Sequence, residues 1–114
     1  MAVLFHNPRC SKSRAALALL EEAGVEVEVV KYLESPLDRA GLQSLLSKLG
    51  MRPRELIRRS EPEYRELGLD DDSLGDPALV AAMAAHPRLM ERPVFVNGPR
   101  AVVGRPPERV LEIL

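Results

Sequence analysis

A chain of 114 residues has the length of one domain, with no room for a second independent core. Hydrophobic residues make up 46% and charged residues 29%, which excludes disorder as the main state of the chain. The formal net charge is −1, with two Tyr, two Phe and no Trp, so phosphate neutralisation and base stacking are both disfavoured and we expect no nucleic-acid partner.

The cysteine content and the absence of long apolar runs predict where the protein acts. No run approaches the roughly 20 apolar residues that span a bilayer, and the first residues lack the basic start of a signal peptide. A single cysteine cannot form an internal disulfide and suits a reducing compartment. We therefore expect a cytoplasmic protein without a membrane partner, and the composition is compatible with a monomer.

The first 30 residues predict a β-α-β unit. Residues 3–5 are a short apolar run typical of a buried strand, which ends before Pro8. Residues 11–23 predict a helix, and Gly24 follows where a left-handed cap belongs. Residues 25–30 alternate between Val and Glu until the last step, where two Val are adjacent, and predict a strand with one solvent-facing side. Two strands joined by a helix in this way should be parallel.

The middle of the chain is predicted to be helical in pieces. Asp38 is expected to cap a leucine-rich helix that Gly50 closes. Prolines and a glycine interrupt residues 51–86, and Asp76 is expected as the N-cap of a further helix that has Pro77 at its first position.

The last 20 or so residues predict a β-hairpin and a closing helix. Residues 94–96 and 101–103 flank a short Asn-Gly turn. The closing helix begins at two consecutive prolines, and its expected inner face carries Val110, Leu111 and Leu114.

The resulting order is β-α-β, a block of helices, then β-β-α. This order is typical of an α/β, thioredoxin-like domain of the glutaredoxin type that carries a helical insertion between its halves. We therefore predict a single domain over residues 1–114, with the insertion at about 38–87.

Cys10 follows the first strand and begins the first helix. Unpaired backbone N–H groups and the positive end of the helix dipole favour a thiolate there. Arg9, Lys12 and Arg14 lie within four positions of it and His6 four positions before it, which predicts an anion site around a reactive thiol. The alternative, a buried and inert cysteine, is disfavoured by these polar neighbours.

The spacing of residues after Cys10 narrows its chemistry. Ser13 stands where a C-x-x-C redox pair has its second thiol, so an external thiol must resolve any covalent intermediate. The C-x5-R loop of phosphatases is absent because Arg14 follows at C-x3-R, and nothing places the His and Asn or Asp of a cysteine protease. No cluster of His, Cys and carboxylates has metal-ligand spacing, so we expect no metal.

The segment His6-Asn7-Pro8-x-Cys10-x-x-Ser13-Arg14 resembles the active-site loop of the glutaredoxin-coupled arsenate reductases, whose fold is thioredoxin-like and which are related to the Spx regulators. Several motifs in order along nearly the whole chain make this resemblance specific. They are Tyr32-Leu33-Glu34-x-Pro36, Leu56-Ile57-Arg58-Arg59, Tyr64-x-x-Leu67-Gly68-Leu69, His86-Pro87, Arg92-Pro93 and Gly104-Arg105-Pro106.

The resemblance implies a role for each matching residue. Cys10 would be the catalytic thiolate that attacks the oxyanion. The residues implied to bind the oxyanion are three arginines, Arg58, Arg92 and Arg105, whose planar forks suit a tetrahedral anion. Those implied to support the thiolate are His6 through its charge, Ser13, Arg14, and Pro93 through a cis peptide bond beside the cysteine.

The function so implied is reduction of arsenate, or a similar oxyanion, to arsenite, with glutathione as cosubstrate, glutaredoxin as partner and no bound cofactor. A glutathione-dependent thiol-disulfide transferase would use Cys10 in the same way without three convergent arginines. A regulator of the Spx type, which binds RNA polymerase and senses oxidants, is disfavoured because Ser13 removes the C-x-x-C switch. Nucleic-acid binding by the arginine-rich residues 52–65 is weaker still, because glutamates are interleaved with the arginines.

Overall fold

The structure is a computed structural model and describes residues 2–114. The chain divides into two compact units. One unit comprises the chain up to Ser35 together with Arg92–Leu114, and the other comprises Pro36–Glu91. The predicted organisation as a single domain stays a prediction. No helix within the described residues is long and apolar enough to cross a membrane.

The first unit contains a four-stranded sheet. β1 (Ala2–His6) is parallel to β2 (Glu28–Lys31). β3 (Val94–Asn97) is antiparallel both to β1 and to β4 (Arg100–Val103). The strand order is β2-β1-β3-β4, so β1 is central and the loop that follows it opens at the middle of the sheet edge. The predicted β-α-β unit and C-terminal hairpin are both confirmed.

α1 (Ser11–Glu22) joins β1 to β2 and ends as the sequence predicts. Gly24 has a φ of 75°, a left-handed conformation that a Cβ would strain, and the Val25 N–H donates to the Leu20 carbonyl at 3.0 Å. The buried face of α1 packs on the sheet and on the last segment of the chain. The core of this unit is formed by Leu4, Ala16, Leu20, Phe95, Val102 and Val110.

β2 is shorter than the alternating pattern predicts. It begins at Glu28 because its pairing with β1 starts at Val3 opposite Glu28. Val25 and Val27 lie before the strand and pack against the core as partly buried side chains. Alternation reports burial on one side of an extended segment, and it does not require that the segment be paired in a ladder.

The closing helix differs in type from the prediction. Pro107–Ile113 is a 3₁₀-helix, in which three residues complete a turn, so Val110 and Ile113 fall on the same side and pack on the core. Leu111 and Leu114 are 40% and 49% exposed. Their assignment to the inner face was wrong because it assumed the period of an α-helix.

The second unit is helical in pieces, as predicted. Its helices are α2 (Arg39–Leu49), α3 (Pro53–Leu56), α4 (Pro62–Glu66) and α5 (Asp76–Ala85), and a 3₁₀ turn over Pro87–Leu89 follows α5.

The caps of α2 are those that the sequence predicts. The Asp38 side chain accepts a hydrogen bond from the Gly41 N–H at 2.8 Å, and Gly50 ends the helix with a φ of 65°. The start of α5 is one residue earlier than predicted. Gly75 is its N-cap, and Asp76 lies in the first turn, where its carboxylate faces the positive end of the helix dipole.

Candidate active site

The loop between β1 and α1 holds Cys10 at the N-cap of α1. The Cys10 backbone is extended (φ −92°, ψ 123°). Its N–H donates to the Asn7 carbonyl and its carbonyl accepts from the Arg14 N–H, both at 3.0 Å, so a turn leads directly into the helix. The side chain is half-buried. The thiol is therefore at a helix N-terminus and within reach of solvent, as the sequence predicts.

Ser13 and His6 lie beneath this loop. Ser13 is fully buried and His6 is 6% exposed. The Ser13 Oγ accepts a hydrogen bond from the Asn7 N–H at 3.0 Å and lies 2.8 Å from the His6 Nδ1. On the outer side the Arg14 guanidinium donates to the Pro8 carbonyl at 2.9 Å. The structure thus brings His6, Ser13 and Arg14 to the Cys10 loop, and their catalytic roles stay predictions.

The surroundings of His6 disfavour its charged form. Burial lowers the pKa of the His6 imidazole below its ordinary value, and the positive charges of Lys31 and Arg14 lower it further. This direction favours the neutral imidazole and so does not favour the positive charge that was expected to hold the thiolate. The ring is tied to the loop by its hydrogen bond with Ser13, and its supporting role stays a prediction.

The surroundings of Cys10 stabilise its thiolate. Burial by itself acts to raise the pKa of the Cys10 thiol, but the opposing effects are together larger and the pKa lies below its ordinary value. They are the backbone N–H groups of Ser13 and Lys12, which donate to the sulfur, and the positive charges of Arg92 and Arg105.

Arg92 and Arg105 are positioned by β3 and β4. Val94 pairs with Phe5, so the residues just before β3 lie at the sheet edge where the Cys10 loop begins. The Arg105 guanidinium donates to the Arg92 carbonyl at 3.3 Å, which ties the two residues together. The Arg92–Pro93 peptide bond is cis, as predicted. The Arg105–Pro106 bond is also cis, and no pattern in the sequence predicted this.

Gly104 supports this arrangement, and sequence reasoning gave it no individual role. Its N–H donates to the Pro93 carbonyl at 2.9 Å. A Cβ at Gly104 would lie 2.9 Å from the Pro93 Cγ, closer than packed atoms allow, and 3.1 Å from the Val110 Cγ1, which is a tight contact. The only signal in the sequence is its place directly before Arg105 in a quoted motif. A residue without a side chain is needed where Pro93 packs on the chain leading to Arg105.

We expect Gly104→Ala to lower the free energy of unfolding by about 1–3 kcal/mol, the usual range for overpacking a filled site. Gly104→Val should lose more, because its added methyl groups must displace Pro93 or Val110. Urea unfolding of the wild type and of the two variants measures both losses of stability. Equal unfolding midpoints for the three would contradict the packing described.

A second expected result concerns ionisation of the thiol. The rate of Cys10 alkylation should follow a titration whose midpoint lies below the free-thiol pKa of about 8.5, because a lowered pKa raises the thiolate fraction at pH 7. Arg92→Ala or Arg105→Ala should move the midpoint to higher pH, since each variant removes a positive charge that favours the thiolate. Arg100→Ala, at an exposed position of β4, is the matched control. A wild-type midpoint at or above the free-thiol value would show that the helix terminus and the arginines do not act on Cys10.

Arg58 belongs to the second unit, and carboxylates hold it there. Its Nη1 lies 2.9 Å from the Glu61 Oε1 and its Nε lies 3.8 Å from the Glu91 Oε1. Its guanidinium also donates to the Arg88 carbonyl at 3.3 Å, and its backbone N–H donates to the Leu89 carbonyl at 2.6 Å. Sequence reasoning missed these partners. The assignment of Arg58 to the oxyanion stays a prediction.

A metal site requires a group of side chains that could bind the ion together. Within residues 2–114 no three or more His, Cys, Asp or Glu side chains are grouped so that they could hold a metal ion.

Known proteins resemble this chain over nearly its whole length. Residues 5–113 match the ArsC family. The arsenate reductase of Neisseria meningitidis is 50% identical over 112 residues, which cover 97% of this chain and 96% of that protein. The Escherichia coli protein YfgD is 57% identical over 112 residues, which cover 97% of this chain and 94% of that protein. The structure of an arsenate reductase from Vibrio cholerae has a TM-score of 0.97 at 51% identity, with 99% and 97% of the two chains covered.

The fold and the site together define a thioredoxin-like α/β protein with one activated cysteine at the start of its first helix, and the predicted fold class is confirmed. The chain belongs to the ArsC family.

Proposed function

We propose that the protein reduces arsenate to arsenite through one catalytic cysteine, Cys10, and that glutathione and glutaredoxin supply the electrons. The observation that carries this proposal is a half-buried thiol at the N-terminus of α1, with a lowered pKa and with Arg92 and Arg105 acting on it. A nucleophile surrounded by positive charge and N–H donors is suited to an anionic substrate. The named arsenate reductases among its relatives support arsenate as that anion.

The first step joins sulfur to arsenic. The Cys10 thiolate attacks arsenic(V), and one arsenate oxygen takes up protons and leaves as water, so that a sulfur–arsenic bond replaces an oxygen–arsenic bond. Arg92 and Arg105 counter the charge of the bound oxyanion, and their guanidinium N–H groups are suited to paired donation to its oxygens.

The second step transfers two electrons. The chain contains one cysteine, so the second thiol must come from outside. A glutathione thiolate attacks the Cys10 sulfur and forms a disulfide. The sulfur–arsenic bond breaks with its electron pair on arsenic, which becomes arsenic(III) and leaves as arsenite. A glutaredoxin thiolate then attacks the glutathione sulfur and releases Cys10 as the thiolate, so that two thiols have been oxidised for each arsenate reduced.

The setting we propose for this activity is the cytoplasm, where glutathione is reduced. We propose a monomer that needs no bound cofactor and has no nucleic-acid or membrane partner. The net charge of −1 supports the absence of a nucleic-acid partner.

Arsenate-dependent oxidation of NADPH, coupled through glutathione, glutaredoxin and glutathione reductase, tests the proposal. We expect a rate that requires arsenate, is lost when either thiol partner is omitted, and falls when a competing oxyanion such as sulfate or phosphate is added. A rate without arsenate on a glutathionylated disulfide, together with no response to arsenate, would overturn the proposal and indicate a thiol-disulfide transferase.

A further inference from the structure

An open cavity of about 240 Å³ lies beside the Cys10 loop. It is at the carboxyl ends of the parallel strands β1 and β2, since His6 and Lys31 end those strands and both line it. One wall is formed by residues 6–9. The other is the turn after β2, in which the N–H groups of Glu34 and Ser35 both donate to the Lys31 carbonyl, at 3.0 and 2.9 Å. The mechanism described above gives this turn no role.

The lining of the cavity combines charges of both signs with an apolar surface. Arg9 and Lys31 carry positive charge, Glu34 carries negative charge, and all three are exposed. Within residues 2–114 none of the three forms an ion pair with another side chain, so their charges are available to a ligand. Pro8 and Leu33 supply apolar surface, and Leu33 is 40% exposed although it is a large aliphatic residue.

A ligand complementary to this lining has carboxylates, an ammonium group and a short aliphatic portion. The volume is below the 300–1,000 Å³ or so that is typical of pockets for drug-sized ligands. A small zwitterionic peptide with an excess of negative charge meets both requirements.

The cavity also adjoins the backbone of the Cys10 loop, although the Cys10 side chain is not among its lining residues. Arg9 lines it and directly precedes Cys10, and Cα atoms of consecutive residues are about 3.8 Å apart. The hydrogen bond from the Cys10 N–H to the Asn7 carbonyl folds Cys10 back towards the lining residues 7–9. A peptide with its charged groups in the cavity would contact Cys10 by extending its sulfur past Arg9.

We propose that this cavity binds the reducing thiol, an anionic peptide thiol of the glutathione type, with its carboxylates on Arg9 and Lys31 and its ammonium group on Glu34. The proposal rests on the proposed function in that this function requires an external thiol at Cys10. In the step that the cavity assists, the bound thiolate attacks the Cys10 sulfur and forms a disulfide, and the group previously bonded to that sulfur leaves with the electron pair of the broken bond.

This step can be measured without arsenate. Treating the protein with dithiodipyridine places a neutral thiopyridyl group on Cys10 through a disulfide, and an attacking thiol releases it as a coloured thiopyridone. Four thiols serve as probes. Glutathione is zwitterionic with a net negative charge, and mercaptopropionate is negative. Mercaptoethanol is neutral and cysteamine is positive. For each thiol the rate of a variant is divided by the wild-type rate, so that differences in intrinsic nucleophilicity cancel.

We expect Arg9→Gln and Lys31→Gln each to lower the rates of reaction with glutathione and with mercaptopropionate about two- to fivefold, as loss of one exposed ion pair does. The double variant should lower both rates about tenfold. Mercaptoethanol should react at the wild-type rate with all of them. Glu34→Gln should lower the rate of reaction with glutathione but not with mercaptopropionate, because mercaptopropionate has no ammonium group. Lys48→Gln, which removes an exposed charge on α2, is the matched control and should leave every rate unchanged.

Equal slowing of all four thiols would overturn the proposal, because it would show an effect on Cys10 itself. Unchanged rates in the Arg9 and Lys31 variants would also overturn it. Neither result bears on the arsenate requirement, which the coupled assay measures separately. A protein that fails the coupled assay but shows the expected thiol selectivity would lose the proposed function and keep this binding site.

Discussion

Cys10→Ser is expected to remove arsenate reduction, lowering kcat/KM by about 10⁴-fold or more, as loss of a catalytic nucleophile does in other enzymes. A serine hydroxyl remains protonated at neutral pH, so the N–H groups of α1 and the charges of Arg92 and Arg105 would have no thiolate to stabilise. The serine oxygen also cannot form the mixed disulfide with glutathione through which the electrons arrive. The fold should be unaffected, because the half-buried side chain keeps its size and the backbone hydrogen bonds of the turn remain.

The coupled assay and urea unfolding measure the two effects of this substitution separately. Ser11→Ala, at the exposed neighbouring position, is the matched control and should keep the activity. A Cys10→Ser protein that reduces arsenate at a rate near that of the wild type would remove Cys10 from the mechanism.

Arg92→Ala and Arg105→Ala are each expected to lower kcat/KM for arsenate about 10- to 100-fold, the range for loss of a charged hydrogen-bonding group. In the proposed mechanism each arginine acts twice, since its charge favours the Cys10 thiolate and its guanidinium would donate to the oxyanion. Reaction of Cys10 with a neutral disulfide uses only the first effect. The loss for a neutral disulfide should therefore be several-fold smaller than the loss for arsenate.

Lysine variants separate charge from geometry at the same positions. Arg105→Lys should restore the pKa of Cys10 and only part of the arsenate rate, because lysine keeps the charge but lacks the planar fork. Arg100→Ala is the control for removal of an arginine elsewhere in the same unit. Equal losses for arsenate and for the neutral disulfide would assign these arginines to the thiol alone and not to the anion.

Local signals in the sequence were sufficient for most of the fold. The cap glycines Gly24 and Gly50 have the left-handed backbone that was expected of them, and Asp38 caps α2 as predicted. The errors arose where a tertiary context overrides the pattern. Residues 25–27 have the alternation of a strand but lie before its pairing begins, and the closing helix has a 3₁₀ period that a stretch opened by two prolines does not reveal.

The centre of the candidate site was predictable because it lies in one short segment. Cys10, the turn before it and Ser13 are within seven positions, so helix-terminus chemistry could be inferred from spacing. The remaining features depend on pairs that are distant in the chain. The packing of Gly104 on Pro93 and the carboxylate Glu91 beside Arg58 have no local signature. The lowered pKa of His6 depends likewise on its burial and on Lys31, 25 positions away.

In the proposed mechanism, arsenate makes Cys10 form a disulfide with an external thiol. The intact mass of the protein shows whether this happens when it is measured after reaction with arsenate and reduced glutathione, without glutaredoxin and without oxygen, followed by an acid quench. We expect one added glutathione, attached to Cys10 and formed only when arsenate is present. An unmodified protein, or an adduct formed equally well without arsenate, would contradict it.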